Sequence, residues 1–372
     1  METQNRFRTT LENLKIADNY RFLPEDNSAD LLDLCSNDYL GLNNDKQLYS
    51  GFINTLGGNA FKFSSCSSRL LSGNSIEYKK LEKLIAGSYQ SEACLLYNSG
   101  YHANLGIIPA LAGKNDLILA DKLVHASIID GAKLSPATVT RFRHLDYLHL
   151  EKILEKTRNT YENVFIMSES IFSMDGDIAD LERLVELKQK FNCLLYIDEA
   201  HAVGTRGKNG LGCVEETQVT KDVDLVVGTF GKALASIGAF VVCSNLFKQY
   251  LINHSRTLIY TTALPPINLA WTRYIFEKLP ELNEKRERLK NISTQFSKSL
   301  NLKPQSHIIP FIIGTNKEAV AESHILGQHG FKVLPIRYPT VPKGTARLRF
   351  SLHADMNINQ LMPIKSILKK DE

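Results

Sequence analysis

Two apolar runs in the middle of the chain each end in residues that can do chemistry. Residues 194–197 are followed by Asp198 and then His201, and residues 223–228 are followed by Thr229 and then Lys232. Short apolar runs closed by polar residues are typical of buried strands in a parallel sheet, and open α/β sheets bind ligands at the carboxyl ends of such strands. We therefore expect a carboxylate, an imidazole, a hydroxyl and an amine at one edge of a sheet.

These side chains match the needs of pyridoxal 5'-phosphate (PLP) chemistry. An Asp carboxylate pairs with the pyridinium nitrogen of PLP, and a Lys amine forms a Schiff base with its aldehyde. Asp198 would be costly to bury without a partner, so it needs a pyridinium, an arginine or a helix N-terminus nearby. A Lys after a strand is also an ordinary surface cation, and a single His, such as His201 or His125, is more often structural. At this point the residues leave both interpretations open.

Residues 198–201 read Asp-Glu-Ala-His, which is also the magnesium-binding motif of a class of nucleic-acid helicases. Such ATPases need an upstream G-x-x-x-x-G-K-[ST] loop to bind phosphates. Each Gly-Lys pair of this chain, at 113–114, 207–208 and 231–232, is followed by Asn or Ala. The sequence therefore disfavours a DEAH-type ATPase. It also lacks the G-x-S-x-G, H-E-x-x-H and G-x-G-x-x-G motifs of common hydrolases, metalloproteases and dinucleotide-binding proteins.

Strands and helices alternate between residues 93 and 243, which predicts an α/β fold with a large, mostly parallel, helix-covered sheet. The predicted strand 93–97 runs into Ser99, Gly100 and Tyr101 before a helix, so backbone N–H groups at that helix N-terminus could bind a phosphate. The later part of the chain is predicted to form a smaller C-terminal α+β domain. We expect three parts: an N-terminal helix and arm (1–50), a PLP-binding α/β domain (51–265) and a C-terminal small domain (266–372).

With 43% hydrophobic and 23% charged residues, the composition is ordinary for a soluble globular protein. The formal net charge is +4 over 372 residues, and the charges are interspersed, so we expect no nucleic-acid partner. The six cysteines form no C-x-x-C pair and no Cys/His ligand spacing, which predicts reduced cysteines and no metal site. No apolar stretch approaches ~18 residues, and the first residues do not resemble a signal peptide. We therefore expect a cytoplasmic protein with no membrane partner.

Seven short motifs in order make the chain resemble the α-oxoamine synthases, a family of fold-type I PLP enzymes. The motifs are residues 36–42, 68–74, 98–104, 125–127, 172–177, 198–201 and 228–232. Members of this family are acyltransferases that condense an amino acid with an acyl thioester. The resemblance implies the fold-type I transferase fold, bound PLP and a homodimer with shared active sites.

By position, the resemblance assigns the cofactor contacts. Lys232 would form the Schiff base, Asp198 would pair with the ring nitrogen, His125 would stack on the ring and His201 would bond its phenolic oxygen. The other assigned positions line the cofactor, as Glu169 and Ser173 do, or hold its phosphate, as Ser99, Gly100, Tyr101 and Thr229 do, with Thr261 from a second subunit.

The resemblance also assigns residues to the amino-acid substrate. Arg349 corresponds to the arginine that binds the substrate carboxylate, with Asn37 beside it. Arg21 is assigned to the same substrate-binding set. Arg347 is the neighbour most easily confused with Arg349.

Three further stretches narrow the substrates. Residues 127–132, 260–266 and 336–349 are most similar to the family members that join L-alanine to a pimeloyl thioester, giving 8-amino-7-oxononanoate for biotin synthesis. The pimeloyl group would arrive on coenzyme A or on an acyl carrier protein. Residues 127–132 also occur, nearly unchanged, in glycine C-acetyltransferase (2-amino-3-ketobutyrate CoA ligase), so that activity or another α-oxoamine synthase activity is the alternative.

Overall fold

The computed structural model of the protein describes residues 4–23, 31–57 and 62–368. Its strands are β1 (Leu32–Asp33), β2 (Ala93–Tyr97), β3 (Leu117–Asp121), β4 (Thr138–Phe142), β5 (Val164–Glu169), β6 (Leu194–Asp198), β7 (Leu225–Thr229), β8 (Ala239–Cys243), β9 (Ile308–Gly314), β10 (Phe331–Lys332), β11 (Pro335–Ile336) and β12 (Ala346–Ser351).

The helices in the same part of the chain are α1 (Asn5–Ile16), α2 (Lys46–Thr55), α3 (Ile76–Ser88), α4 (Gly100–Leu111), α5 (Ala126–Leu134), α6 (Tyr147–Thr157), α7 (Leu181–Phe191), α8 (Cys213–Glu216), α9 (Asn245–His254), α10 (Arg256–Ile259), α11 (Pro266–Lys278), α12 (Asn283–Ser299), α13 (Asn316–Gln328), α14 (Ile358–Leu361) and α15 (Pro363–Leu368). A π-helical turn covers Arg69–Gly73, and 3-10 turns cover Arg158–Thr160 and Leu279–Leu282.

The chain divides into two compact units. The sheet unit comprises Asp38–Phe172 and Asp177–Glu287, and the terminal unit comprises Met1–Asn37, Ser173–Gly176 and Arg288–Glu372. The division predicted from the sequence, into residues 1–50, 51–265 and 266–372, stays a prediction.

The sheet unit is built on a seven-stranded sheet with the order β2-β8-β7-β6-β5-β3-β4. Strand β8 runs antiparallel to both of its neighbours, and all other pairs in this sheet are parallel. Every residue of β2, β3, β5, β7 and β8 is buried, as their continuous apolar runs require in a sheet covered on both faces. The predicted α/β fold with a mostly parallel sheet is confirmed.

Strand β4 was not predicted from the sequence. It lies at the edge of the sheet beside β3, and four of its five residues are at least partly exposed. An edge strand needs no continuous apolar run, so Thr-Val-Thr-Arg-Phe carries a weak strand signal. Helix α4 begins at Gly100, where the Ser99 side chain caps it by accepting a hydrogen bond from the His102 N–H.

The strand directions bring the predicted chemistry to one edge of the sheet. Strands β3, β5, β6 and β7 are parallel, and β2 is parallel to β7 because both run antiparallel to β8. Their carboxyl ends therefore lie along the same edge. In addition, Glu169 and Asp198 are register partners at the ends of β5 and β6.

The terminal unit contains a three-stranded antiparallel sheet with the order β11-β12-β9, and a parallel pair of β1 and β10. Phe296 of α12 packs edge-on against Phe350 of β12 at 5.3 Å between ring centroids, and both rings are fully buried. Helix α1 ends at Ile16, and Asp18 adopts a left-handed φ of 51° just after it. In the described residues, no helix is long and apolar enough to cross a membrane.

Candidate active site

The sheet edge carries an amine, an imidazole and a phenol in a hydrogen-bonded chain. Lys232 lies three residues after the end of β7, and its Nζ is 2.9 Å from Nε2 of His201. The other ring nitrogen, Nδ1, is 2.6 Å from the hydroxyl of Tyr39, which is fully buried. When a protonated Lys232 donates to Nε2, the ring carries its own proton on Nδ1 and donates it to Tyr39. Tyr39 therefore fixes the orientation of the imidazole that contacts the lysine.

Asp198 is the last residue of β6 and is 5% exposed. Its Oδ1 accepts a hydrogen bond from the backbone N–H of Ala200 at 2.9 Å. Its Oδ2 accepts one from the side-chain amide of Asn104 at 2.9 Å. These donors stabilise a buried carboxylate. Asn104 was not predicted as a site residue, because its partner lies 94 positions away in the chain and an Asn on a helix gives no local signal.

His125 follows β3 and caps helix α5. Its backbone N–H donates to Oε1 of Glu169 at 2.5 Å, and its Nδ1 lies 2.7 Å from the hydroxyl of Ser127. Desolvation lowers the pKa of His125, the carboxylate of Asp198 opposes this change, and the charge of Lys232 lowers the pKa further. The imidazole is therefore neutral at pH 7. The buried carboxylate of Glu169, 2% exposed, holds the main chain that carries the ring.

The helix N-terminus at Ser99, Gly100 and Tyr101 lies beside the end of β7. A Cβ built on Gly100 would be 3.8 Å from the Cβ of Thr229, so the two predicted phosphate-binding segments are neighbours. The Thr229 hydroxyl donates to the carbonyl of Gly238 at 3.0 Å and accepts from the N–H of Gly231 at 3.2 Å.

Two other predicted positions lie near this helix N-terminus. Tyr101 donates its hydroxyl to Asp130 at 2.6 Å, and its ring meets the ring of His125 edge-on at 6.4 Å. The Thr261 hydroxyl accepts a hydrogen bond from the side chain of Asn98 at 3.2 Å. Within one chain, Thr261 therefore contacts Asn98, the residue directly before the segment that begins at Ser99.

Glu199, next to Asp198, is a functional candidate that the sequence reasoning missed. It is fully buried, and it accepts hydrogen bonds from the hydroxyl of Ser170 at 2.7 Å and from the N–H groups of Cys213 and Val214 at 3.0 and 2.8 Å. Burial raises its pKa to about 7, although these three donors lower it. Gly212 approaches the carboxylate with a φ of 103°, and a Cβ there would lie 2.5 Å from it, so this approach requires glycine.

The remaining predicted residues belong to the terminal unit. Arg349 of β12 is 9% exposed and donates to the carbonyl of Ser173 at 2.5 Å, to the hydroxyl of Ser351 at 2.5 Å and to Oδ1 of Asn37 at 3.3 Å. Arg21 is exposed and donates to the hydroxyl of Thr340 at 3.3 Å.

Arg347, two residues before Arg349 on β12, has a charged partner. It is 3% exposed and forms an ion pair with Asp175. It also donates to the carbonyls of Thr345 and Met174, at 3.0 and 3.3 Å. The positive charge of Arg347 is therefore neutralised within its own unit, which favours a structural role for it.

The groups at the sheet edge fit PLP. A twelve-residue helix presents its N-terminus beside a strand-end hydroxyl, which suits a phosphate. A buried carboxylate held by two donors suits a pyridinium nitrogen, and an amine 2.9 Å from an imidazole suits the aldehyde and phenolic oxygen. All of these residues lie in the sheet unit.

Comparison with known proteins agrees with this arrangement. The aminotransferase class I and II family matches residues 29–364. A protein of Haemophilus influenzae (strain 86-028NP) with the name "putative 8-amino-7-oxononanoate synthase" is 49% identical over 370 residues, which cover 95% of this chain and 97% of that protein.

Solved structures are similar over most of the chain. A serine palmitoyltransferase with PLP superposes with a TM-score of 0.88 at 27% identity, covering 98% of this chain and 96% of the other. The 8-amino-7-oxononanoate synthase of Francisella tularensis superposes with a TM-score of 0.75 at 31% identity, covering 91% of this chain and 96% of the other. The chain therefore belongs to the aminotransferase class I and II family, and within it to the α-oxoamine synthases, PLP-dependent acyltransferases of fold type I.

Proposed function

We propose that the protein condenses L-alanine with a pimeloyl thioester, with loss of CO₂, to give 8-amino-7-oxononanoate. The observation that carries this proposal is the near-half identity, over 95% of the chain, to a relative with the corresponding name. The similarity of the Francisella tularensis synthase at 31% identity supports the same substrates. The acyl carrier is coenzyme A or an acyl carrier protein.

In this proposal Lys232 carries the cofactor and moves the substrate proton. Bound PLP supplies an electron sink for negative charge at Cα of the amino acid. Lys232 takes the Cα proton through Nζ, and His201, 2.9 Å away and backed by Tyr39, holds the amine and its proton in place. After the new carbon–carbon bond has formed and CO₂ has left, the same amine returns a proton to Cα.

Asp198 and His125 hold the cofactor ring. The Asp198 carboxylate, buried and fixed by two donors, keeps a proton on the ring nitrogen, which strengthens the electron sink. His125, neutral at pH 7, would stack on the ring, and its backbone N–H is held by the carboxylate of Glu169. Ser173 is proposed to line the cofactor as well.

The phosphate is held at the N-terminus of α4. The backbone N–H groups of Gly100 and Tyr101 would supply a positive dipole end, flanked by the hydroxyls of Ser99 and Thr229. To donate to the phosphate, the Thr229 hydroxyl would turn away from the Gly238 carbonyl. Thr261 remains a proposed phosphate contact of a second subunit in a homodimer.

The substrate carboxylate is bound by Arg349. Its planar guanidinium can hold a carboxylate through two parallel hydrogen bonds, with Asn37 fixing its orientation. Arg21 is proposed to contact the same substrate. The Cα of alanine then bonds to the thioester carbonyl carbon, the thiol leaves, and the former alanine carboxyl group leaves as CO₂.

The test of the substrate assignment is the amino-acid dependence of thiol release. Purified PLP-loaded enzyme is given pimeloyl-CoA with L-alanine, glycine or L-serine, and free CoA is followed. We expect the highest kcat/KM with alanine. A preference for glycine would instead support glycine C-acetyltransferase. A preference for serine with a long acyl-CoA would support the serine palmitoyltransferases, a second candidate that their TM-scores of up to 0.88 favour.

A further inference from the structure

Asn104 of helix α4 is 1% exposed and uses its amide on three partners. Its Nδ2 donates to Oδ2 of Asp198 at 2.9 Å and to the hydroxyl of Ser127 at 2.8 Å. Its Oδ1 accepts from the hydroxyl of Tyr196 at 2.5 Å. Both amide hydrogens are therefore committed, one to a residue at the end of β6 and the other to a residue on α5.

The contacts give the amide a single orientation. If the group were flipped, Oδ1 would face the Asp198 carboxylate and the NH₂ group would face the Tyr196 hydroxyl. The first arrangement sets two acceptors against each other in a buried site, which costs the desolvation of both. Tyr196 itself is 1% exposed and precedes Asp198 by two positions on the same strand, so it and the carboxylate approach Asn104 from the same side of the sheet.

The hydrogen-bonded chain continues to the ring of His125. The Ser127 backbone N–H donates to Nδ1 of His125 at 3.2 Å, and the Ser127 hydroxyl lies 2.7 Å from the same nitrogen. Because Nδ1 of His125 accepts from the backbone N–H, it carries no proton, and the Ser127 hydroxyl also donates to it. The oxygen of the same hydroxyl accepts from the amide of Asn104. The order of donation is therefore Tyr196 to Asn104, Asn104 to Ser127, and Ser127 to His125, with a branch from Asn104 to Asp198.

The backbone around Asn104 is also held tightly. A Cβ built on Gly131 of α5 would lie 2.6 Å from the carbonyl oxygen of Asn104. The two helices are therefore in direct backbone contact at this residue. Asn104 cannot shift without moving α5, which carries Ser127 and begins at His125.

We propose that Asn104 is a positioning residue that couples Asp198 to His125, so that the two groups around the PLP ring are set by one amide. This inference rests on the roles given to Asp198 and His125 under the proposed function. It does not depend on which amino acid or acyl thioester the enzyme uses.

The test is a double-mutant cycle on PLP affinity. Apoenzyme of each variant is titrated with PLP, and the dissociation constant is read from absorbance. We expect Ser127→Ala to weaken PLP binding about 3–10-fold in the wild-type background, as for one lost hydrogen bond. Asn104→Ala should weaken it about 10–100-fold, because a donor to a charged group is lost. In the Asn104→Ala background, Ser127→Ala should change the affinity by less than about twofold.

A second cycle keeps the proposal testable if Asn104→Ala fails to fold. Tyr196→Phe removes only the hydroxyl that orients the amide, and its combination with Ser127→Ala should again be less than additive. Tyr89→Phe is the matched control, since Tyr89 is 2% exposed and donates to the carbonyl of Leu211 at 2.7 Å, outside this chain of contacts. We expect that control to bind PLP like the wild type.

The coupling would be overturned if the effects of the two substitutions on PLP affinity were additive in either double-mutant cycle. It would also be overturned if Asn104→Ala bound PLP as tightly as the wild type. Such a result with an intact preference for alanine would remove only this inference. Conversely, a preference for glycine with non-additive cycles would change the proposed substrate and leave the coupling standing.

Discussion

His144 is the clearest source of pH-dependent stability near the site. Its Nδ1 lies 2.8 Å from Oδ1 of Asp121, its Nε2 lies 3.2 Å from Oδ2 of Asp177, and its ring meets Phe172 edge-on at 4.5 Å. Burial by itself would lower the pKa of His144, but the hydrogen bonds and charges of the two carboxylates outweigh it and raise the pKa to about 9. Asp121 ends β3, four residues before His125, so this contact stabilises the connection that leads to the site.

The magnitude follows from the pKa change. A rise from 6.5 to about 9 corresponds to about 3 kcal/mol of stability as an upper limit. The side chain of His144 is 19% exposed, and solvent screening reduces the expected value to about 1–2 kcal/mol. Because the folded-state pKa is the higher one, this stability is complete below pH 6.5 and is lost as the pH rises through about 9.

The assay compares thermal unfolding of wild-type and His144→Gln apoenzyme between pH 6 and pH 9.5 at constant ionic strength. Apoenzyme is used so that titration of the cofactor does not contribute. We expect the wild type to be more stable at pH 6 and the difference to shrink towards pH 9.5, with Asp177→Asn giving an intermediate slope. A stability difference that stays constant or grows with pH would show that the two carboxylates do not raise the pKa of His144 in the folded protein.

Three further changes test other parts of the site. Because burial raises the pKa of Glu199 from 4.5 to about 7, the wild type should lose up to about 3 kcal/mol of stability as the pH rises through this range. Glu199→Gln should abolish this loss. A difference in melting temperature between the two proteins that does not depend on pH would contradict this. Arg349→Ala should raise the KM for alanine about 10–100-fold. Arg347→Ala removes a buried guanidinium from its ion pair with the partly exposed Asp175 and should mainly lower the melting temperature; equal effects of both variants on KM would remove the distinction. Borohydride reduction of the holoenzyme should leave the mass of PLP on the tryptic peptide containing Lys232, and not in Lys232→Ala; labelling of another lysine would contradict the assignment.

The sequence predicted the site best where a polar side chain lies at the end of an apolar run or just after it. The apolar runs before Asp198 and Thr229 predict buried strands, and the structure has strands β6 and β7 there. These strands pair in parallel, so their carboxyl ends lie at one edge of the sheet, as predicted. Strand β4 escaped prediction because an edge strand needs little apolar character. The predicted fold class and the family are therefore confirmed, while the exact elements at the sheet edge needed the structure.

Contacts between distant residues could not be predicted from one sequence. The hydrogen bond from Asn104 to Asp198 joins residues 94 positions apart, and the contact of Tyr39 with His201 joins residues 162 apart. Residues 36–42 form one of the motifs of the family resemblance, but the motif does not predict the contact of Tyr39 with His201. Within the same motif, the side chain of Asp38 accepts hydrogen bonds from the N–H groups of Leu42 and Asn43, both at 2.9 Å. The long-range partners emerge only when the fold brings the segments together.

The central claim is that this α-oxoamine synthase uses alanine and a pimeloyl thioester. Its most direct test is the mass of the product formed when the PLP-loaded enzyme receives pimeloyl-CoA with equal concentrations of L-alanine, glycine and L-serine, each labelled with ¹³C in the carboxyl group. We expect 8-amino-7-oxononanoate as the dominant product, without label, together with one ¹³CO₂ for each CoA released. A dominant product derived from glycine or serine, or a product that retains the label, would contradict it.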